Sequence, residues 1–517
     1  MPAISEPHYR AIATGKRARQ LAAIPQSWLL PASSLPPASV LDVRSFPRDC
    51  GLLTSRELDI TEKHDATSLA LAIRERVFTS VAVVTAFCKR AALAQQLTHC
   101  LTEIFFSEAL ARARWLDEEL ERTGKTVGPL HGVPVSVKDS FQIVGHDSSI
   151  GLAALANQPA TENSPLIDML VKAGAVLYCK TNVPQTLMAL DSQNWLFGRT
   201  LNPVNWACTA GGSSGGEGAL IAMRGSVLGV GTDVGGSIRI PAMCNGLYGI
   251  KPSVGRVPYA GQVSGTRPGM EGVGIKACAG PIATSVRDCE LFLRTVADAR
   301  PWEVDTGAVF GEWDANGQGD LTNRMKPLIG VVRSDGLIEP LPPVAKAIEE
   351  TVRALRKEDV EVVEMDVPQF KKCQSLANKL LGIDGNNTVL DIVERTGEPL
   401  IPWLSTRVRR KELMGLDTLL TLNQRKTEIE MEMLKIWKDP NSGRTIDAFI
   451  CPVAPHPVPP MDRWNGVSYT LSFNLLDYPT GVIPVRSLKE EDLVGEIGTT
   501  WDNGWDESNR KLCKFEI

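Results

Sequence analysis

Two glycine- and serine-rich segments between Asn202 and Pro281 constrain the fold of this 517-residue chain more than any other feature. The first reads AGGSSGGEGAL over residues 210–220, and the second reads GVGTDVGGSIRIP over residues 229–241. Short apolar runs separate the glycines, as in tight junctions between a strand, a turn and a helix. A flexible linker seldom runs directly into an amphipathic helix such as Glu217–Met223, so the pattern favours a folded site over a linker.

Familiar site motifs fit these segments poorly. The second segment contains G-x-G, but Val234 stands where the third glycine of a dinucleotide fingerprint belongs. Gly212–Gly216 matches the G-x-S-x-G nucleophile elbow, which needs a preceding strand and a later acid and histidine. The residues before it are loop-like, and downstream of both segments the sequence has one histidine, His456, in a proline-rich loop. A Ser-His-Asp hydrolase therefore stays open as an alternative.

A lysine could activate a serine in place of a histidine, and Lys138 is the candidate. In the run VPVSVK (residues 133–138), strand alternation places three valines on one face and Ser136 and Lys138 on the other. If both faces are covered, burial lowers the pKa of the lysine and allows it to accept a proton. If the strand lies at a sheet edge, the lysine points to water. The pattern alone leaves both interpretations open.

The remaining pattern alternates helices with strands and predicts a mixed α/β fold with one large sheet. Predicted helices cover Ser80–Gln96, Ser107–Arg122, Pro165–Ala173, Pro343–Arg356 and several segments within 368–438. Predicted strands cover Val133–Lys138, Ala175–Lys180, Ile329–Val332, Val360–Glu364 and Ala448–Ile450.

Composition excludes several classes of protein. The net charge of −5 comes from 55 basic and 60 acidic residues in mixed order, which argues against a nucleic-acid partner. The 11 cysteines form no C-x-x-C pair, so we predict reduced thiols and no disulfide frame or zinc site. No run of 18 apolar residues and no apolar signal at the N-terminus occur, so we predict a cytoplasmic protein without a membrane span.

Four motifs in register resemble those of the amidase signature family. They read LHGVPVSVKDSF from residue 130, KTNVPQT from 180, GGSSGGEGALI from 211 and GVGTDVGGSIRIPA from 229. The family's core motif covers about residues 130–285, and flanking segments such as NLLDYPTGVIPV resemble the fungal acetamidase branch, with fatty acid amide hydrolase as a more distant relative. The resemblance implies the family's α/β fold, in which one large mixed β-sheet core is covered by helices on both faces.

The resemblance also implies a Ser–cis-Ser–Lys triad. Ser237 would be the nucleophile, Ser213 the bridging serine after a cis peptide bond from Gly212, and Lys138 the base. The separations of 75 and 24 residues suit that triad. The resemblance implies further site residues: backbone N–H groups of an oxyanion hole at Val234, Gly235, Gly236 and Ser237, a buried Asp233–Arg239 pair, a supporting Ser214, and an apolar acyl pocket along Gln185–Leu190 with Leu187.

An enzyme of this kind needs no metal and no organic cofactor. The predicted function is hydrolysis of the carbon–nitrogen bond of a small or moderately apolar carboxamide, with a small-molecule amide as partner and a homodimer as a possible assembly. Two alternatives stay open. One is a glutaminase-type amidotransferase subunit, and the other is a truncated, weakly active or inactive paralogue that acts as a binding protein.

The predicted organisation has three parts. Residues 1–64 form a helical or extended arm that packs on the core, residues 65–490 form the catalytic domain, and residues 491–517 form a short C-terminal segment. Family members continue after NLLDYPTGVIPV with a returning strand and a final helix, which Leu493–Ile517 does not resemble. We therefore expect an open sheet edge and marginal stability.

Overall fold

A computed structural model of the chain describes residues 8–314, 326–464 and 466–512. The remaining residues, including the last five of the predicted C-terminal segment, lie outside the described part. The strands are β1 Leu101–Ile104, β2 Pro134–Lys138, β3 Val176–Thr181, β4 Gln193–Asn194, β5 Gly198–Arg199, β6 Leu228–Asp233, β7 Tyr248–Lys251, β8 Cys278–Ala283, β9 Leu328–Val331, β10 Glu361–Glu364, β11 Ala448–Ile450 and β12 Thr480–Val482.

Helices take up more of the described chain than strands do. The α-helices are α1 His8–Ala22, α2 Phe46–Asp49, α3 Ser55–Lys63, α4 Ala66–Arg74, α5 Ser80–Thr98, α6 Phe106–Thr123, α7 Pro165–Lys172, α8 Gly215–Ala222, α9 Arg239–Asn245, α10 Val286–Asp298, α11 Pro342–Lys357, α12 Phe370–Leu381, α13 Asn387–Glu394, α14 Pro402–Ser405, α15 Leu416–Lys435, α16 Ser468–Leu475 and α17 Gly504–Leu512. Short 3₁₀ turns lie at Gln26–Trp28, Ala32–Ser34, Ala153–Leu155, Gln185–Leu187, Met270–Gly272, Pro301–Glu303 and Glu490–Asp492.

The helix ends follow local chemistry. Thr79 begins α5 because its side chain accepts a hydrogen bond from the N–H of Ala82, and Gly124 ends α6 in a left-handed conformation with φ of 70°. Both helices agree closely with the ranges predicted from apolar spacing. The strand predicted at Val133–Lys138 is also confirmed, as β2.

Within the described residues, seven strands form one mixed sheet in the order β1-β3-β2-β6-β8-β7-β12. Strand β2 pairs in parallel with both β3 and β6, whereas β8 runs antiparallel to β6 and β7. The predicted large mixed sheet is therefore confirmed. Because β2 lies inside the sheet with a partner on each side, the interpretation of Lys138 as a residue of an edge strand is wrong.

The two faces of this sheet are covered by different helices. Val133, Val135 and Val137 pack with α7 and α10 in one apolar cluster that includes Leu166 and Phe292. On the opposite face, Ser136 and Lys138 of β2 are fully buried and face α8. The sheet is thus covered on both sides, as the family resemblance implied.

A second, smaller sheet holds three strands that the sequence did not separate from the large one. Strands β9, β10 and β11 pair in parallel in the order β10-β9-β11. Helix α11 connects β9 to β10, which confirms the predicted alternation of strand, helix and strand there. Side chains of α12, α15 and α16 form an apolar cluster with residues in and beside this sheet, including Phe449 of β11 and Val332 after β9.

The two ends of the described chain pack against the rest in different ways. Helix α1 buries Tyr9, Ala13 and Lys16. At the other end, α17 follows an extended segment, and Asp506 accepts a hydrogen bond of 2.8 Å from the N–H of Glu339. In the order of the described strands β12 is the last, so it lies at an edge of the large sheet. The expected low stability stays a prediction.

The described chain contains no disulfide among its ten cysteines, eight of which are buried. Its described helices include none with the length and apolar character needed to cross a bilayer. The described residues also contain no cluster of three or more histidine, cysteine or acidic side chains that could hold a metal ion.

Candidate active site

Lys138 ends β2 and contacts two hydroxyl groups. Its Nζ lies 2.7 Å from Ser213 Oγ and 2.7 Å from Thr232 Oγ1. The lysine is fully buried, and this burial lowers its pKa to about 7, although Asp233, Glu217 and Asp139 act in the opposite direction. A neutral amine can donate one hydrogen to Thr232 and direct its lone pair at Ser213. The site therefore presents a lysine that can accept a proton at neutral pH.

Ser213 is held by the turn that leads into α8. The peptide bond between Gly212 and Ser213 is cis, as the resemblance implied. A side chain at position 212 would collide with the backbone at Ala189, since an added Cβ would lie 2.6 Å from its carbonyl oxygen. Ser192 fixes the turn further, because its hydroxyl donates to Gly211 O and accepts from the N–H of Gly215 at 3.0 Å each.

Ser237 lies in the loop between β6 and α9. The N–H of Ser214 donates to its carbonyl oxygen at 3.2 Å, which joins the two serine-rich segments. Exposure rises from 0% at Lys138 to 2% at Ser213 and 7% at Ser237. Of the three side chains, Ser237 is therefore the one nearest to solvent.

Asp233 and Arg239 brace this loop, as the resemblance implied. Both are buried, and the guanidinium donates to both carboxylate oxygens at 3.0 and 2.9 Å. Burial alone would raise the pKa of Asp233, but Arg239 and Asn474 hold it well below its usual range. The ionised carboxylate also accepts the N–H groups of Gly236 and Ile238 at 2.8 and 3.1 Å. The pair thus fixes the backbone on both sides of Ser237.

The backbone donors beside Ser237 differ in one respect from the expected oxyanion hole. The N–H of Gly236 already has an acceptor in Asp233. The N–H groups of Val234, Gly235 and Ser237 make no hydrogen bond to any residue in the described part of the chain. Three of the four expected donors therefore have no acceptor within the described part of the chain, whereas the Gly236 N–H is held by Asp233 and shapes the loop.

Two further residues singled out in the sequence are Leu187 and His456. Leu187 packs against the apolar cluster of α13, which includes Val389 and Ile392. His456 lies edge-on to Trp464 with 4.9 Å between the ring centroids, and its Nδ1 lies 2.8 Å from Pro457 O. These contacts of His456 favour a packing role and give no support to a Ser-His-Asp site.

The sequence did not identify three residues that shape this site. The register pairs Ser136 with Gly229 and Val137 with Val230, which puts Thr232 in line with the valine face of β2, so strand alternation gave no signal for its contact with Lys138. Thr470 and Asn474 of α16 carried no signal either. The Thr470 hydroxyl donates to Gly235 O at 2.6 Å, and Asn474 donates to Asp233 at 2.9 Å.

Comparisons with known proteins define the class of protein first. The fold is similar to that of a solved fatty acid amide hydrolase, with a TM-score of 0.85 and 28% identity over 99% of this chain and 91% of that one. A bacterial aryl acylamidase shares the fold at a TM-score of 0.67 and 22% identity, over 82% of this chain and 90% of that one. By their names, both solved structures are amide-hydrolysing enzymes.

Sequence comparisons give the family. The Amidase family matches residues 82–505. An amidase of Gibberella moniliformis is 39% identical over 490 residues, 93% of this chain and 90% of the relative. An acetamidase of Emericella nidulans is 39% identical over 488 residues, 92% of this chain and 87% of the relative. The chain belongs to the amidase signature family and is an amide-hydrolysing enzyme.

Proposed function

We propose that this enzyme hydrolyses the carbon–nitrogen bond of a small or moderately apolar carboxamide through an acyl-enzyme on Ser237. The observation that carries the proposal is the 2.7 Å contact between the fully buried Lys138 amine and the Ser213 hydroxyl. A neutral lysine at that distance can act as a general base, because its amine lies within hydrogen-bonding reach of the Ser213 hydroxyl proton. The acetamidase relatives and the half-buried Leu187 and Leu190 support an apolar acyl group of modest size.

The chemistry follows from this arrangement. Neutral Lys138 takes the hydroxyl proton of Ser213, which takes the proton of Ser237, and Ser237 Oγ forms a bond to the amide carbon. The N–H groups of Val234, Gly235 and Ser237 stabilise the oxyanion, at about 3–4 kcal/mol for each donor where this has been measured in other hydrolases.

Collapse of the tetrahedral intermediate completes the first half of the reaction. The carbon–nitrogen bond breaks as Ser213 gives its proton to the leaving nitrogen and regains one from the Lys138 ammonium. Water then attacks the ester on Ser237 by the same relay and releases a carboxylic acid. Every proton that leaves one group in this sequence is taken up by another, and no cofactor enters it.

The experiment is turnover and fluorophosphonate labelling of the purified chain with a panel of aliphatic, aryl and long-chain amides. Ser237→Ala should abolish both signals. Ser80→Ala is the matched control, because Ser80 is fully buried and its hydroxyl has no described hydrogen-bond partner. Retention of turnover by Ser237→Ala would remove Ser237 from the nucleophile role. Absence of both signals in the wild type would overturn the proposed acyl-enzyme reaction on these amides.

A further inference from the structure

A second titratable group, Glu217, lies buried beside Lys138 and has no part in the steps above. Its Oε2 accepts a hydrogen bond of 2.6 Å from Ser136, which is two residues before Lys138 on the same face of β2. Its Oε1 accepts one of 2.8 Å from Thr181, which is the partner of Lys138 in the pairing of β2 with β3. The carboxyl group therefore occupies the position next to Lys138 on this face of the sheet.

The position of Glu217 is fixed by the same segment that presents Ser213. Glu217 lies in the first turn of α8, four residues after Ser213. The glycine at position 229 of β6 leaves room for the carboxyl group, since a Cβ there would collide with Oε2. Any shift of this turn would thus move both the hydroxyl that Lys138 contacts and the carboxyl group beside it.

The charged groups around Lys138 come from three elements. Asp233 at the end of β6 is already paired with Arg239. Asp139, directly after β2, accepts hydrogen bonds from Thr102, Ser149 and the N–H of Ile150. Glu217 of α8 accepts only hydroxyl groups. Among these three carboxyl groups, Glu217 is therefore the one with the fewest other interactions to compensate its charge.

Among the described residues, the cation that interacts with Glu217 is Lys138. The other titratable groups that face it are Cys100, Cys179 and Tyr178, and burial raises the pKa of each of them, so they are neutral near pH 7. Burial also raises the pKa of Glu217 to about 7, while Ser136, Thr181 and Lys138 act to lower it. Its charge therefore changes in the same pH range as that of Lys138.

Both protonation states of Glu217 can be hydrogen-bonded. Ser136 Oγ has two acceptors in reach, Glu217 Oε2 at 2.6 Å and Ser226 Oγ at 2.9 Å. When the carboxylate is ionised, Ser136 donates to it. When it is protonated, it can donate to Ser136, whose own hydrogen then turns to Ser226. The network can therefore accept or release a proton without leaving a buried group unpaired.

We propose, on the basis of the function proposed above, that Glu217 is a positioning residue that controls how readily Lys138 accepts the Ser213 proton. An ionised Glu217 favours the ammonium form of Lys138 and thereby restrains the base. A neutral Glu217 releases that restraint. The effect passes through Lys138 alone, because the Glu217 carboxyl group makes no hydrogen bond to either serine of the relay in the described structure.

The experiment compares the pH dependence of kcat/KM for wild type and Glu217→Gln. The acid limb of this profile reports the free enzyme's base. Removing a nearby negative charge should move its midpoint downward by about one pH unit. If the wild-type midpoint lies near 7, the variant's activity at pH 6 should be about fivefold higher relative to its own plateau. Glu217→Asp, which keeps the charge, should return the midpoint toward the wild-type value.

Asp288→Asn is the matched control, since Asp288 is also a fully buried carboxyl group with hydrogen bonds from Ala66 and Thr67. Its midpoint should equal that of the wild type. If Glu217→Gln does not fold, Thr181→Val serves instead. Thr181→Val removes one of the two hydroxyl groups that donate to Glu217, and this disfavours the ionised form of Glu217. The midpoint of the kcat/KM profile should therefore shift in the same direction as in Glu217→Gln, by a smaller amount.

The outcomes separate the two proposals. An active wild type with an unchanged midpoint in Glu217→Gln, or in Thr181→Val where that variant replaces it, would overturn the role of Glu217 and leave the proposed function standing. An equal shift in Asp288→Asn would also overturn it, because the effect would then be general to buried carboxyl groups. Activity that survives in Ser237→Ala would overturn the proposed function itself.

Discussion

At the scale of the residue, the central fact is the cost of placing an amine where Lys138 lies. A fully buried ammonium loses its hydration, and in this site Ser213 and Thr232 replace it with only two hydroxyl groups. The pKa of Lys138 falls from 10.5 to about 7 for this reason. Functional sites often carry such local destabilisation, because the same burial that costs stability creates the base.

We therefore predict that Lys138→Met is inactive but more stable than the wild type at pH 6. Between pH 7 and 10.5 Lys138 carries a proton in the unfolded chain but not in the folded one. Wild-type stability therefore rises with pH across this window. Below pH 7 the folded state bears the full cost of burying the ammonium group. The gain at pH 6 should be about 1–3 kcal/mol after the loss of two hydrogen bonds. It should shrink toward pH 10. Thermal unfolding at both pH values measures it, and a variant less stable at pH 6 would contradict it.

At the scale of the element, a helix far along the chain shapes the loop that follows β6. All eight residues of α16 are buried. Arg239 donates to Thr470 O at 2.9 Å and to Asn474 Oδ1 at 2.6 Å. Gly236 is pressed against this helix, since an added Cβ would lie 2.6 Å from Thr470 Oγ1, whereas one at Gly235 would meet nothing nearer than Leu471 at 3.5 Å. A side chain at position 236 would thus clash with α16, whereas one at position 235 would not.

Replacing each of these glycines by alanine should therefore have different effects on stability. Gly236→Ala forces a side chain into a backbone with φ of +125° and into contact with Thr470, so we expect a loss of about 1–3 kcal/mol and slow labelling of Ser237. Gly235→Ala should unfold at the wild-type temperature, because its Cβ would make only an ordinary van der Waals contact with Leu471. Thermal unfolding and labelling rates check both. Equal destabilisation by the two variants would mean that the loop is not held as described.

At the scale of the whole molecule, α1 is joined to the core by a buried ion-pair cluster. Lys16 Nζ lies 2.8 Å from Asp147 and also contacts Glu103, which is in β1. Burial would lower the pKa of Lys16, but the two carboxylates together raise it, and burial raises the pKa of Glu103. Tyr9 and Ala13 add apolar contacts to the loop around Phe197. Helix α1 is in this way held against the rest of the fold by both charge and apolar packing.

Lys16→Met should destabilise the enzyme by about 3–5 kcal/mol at pH 8, since it removes the amine that the buried Asp147 and the half-buried Glu103 share. The deficit should shrink toward pH 5, because burial raises the pKa of Glu103 and its carboxyl group becomes neutral more readily there once Lys16 is removed. Adding Glu103→Gln should recover part of the loss. Chemical denaturation at both pH values provides the measurement. A deficit that is the same at pH 5 and pH 8 would show that lost packing, not charge, is responsible.

Local periodicity determined much of this protein without any tertiary information. Alternation along β2 separated the valines from Ser136 and Lys138, and apolar spacing predicted α5 and α6 almost to the residue. The glycine- and serine-rich segments marked the site because Gly211 and Gly236 take positive φ values there, which glycine adopts without strain. These features are properties of a few adjacent residues, and so they can be read from sequence and from a family resemblance.

Only the tertiary structure decided the properties that depend on distant parts of the chain. Alternation could not show that both faces of β2 are covered, and therefore could not fix the charge of Lys138. The hydrogen bond from Asn474 to Asp233 spans 241 positions, and no local pattern predicts it. The same holds for the separate sheet of β9, β10 and β11, because strand spacing does not say which strands pair. Burial and pairing arise where segments meet, which is why sequence alone left them open.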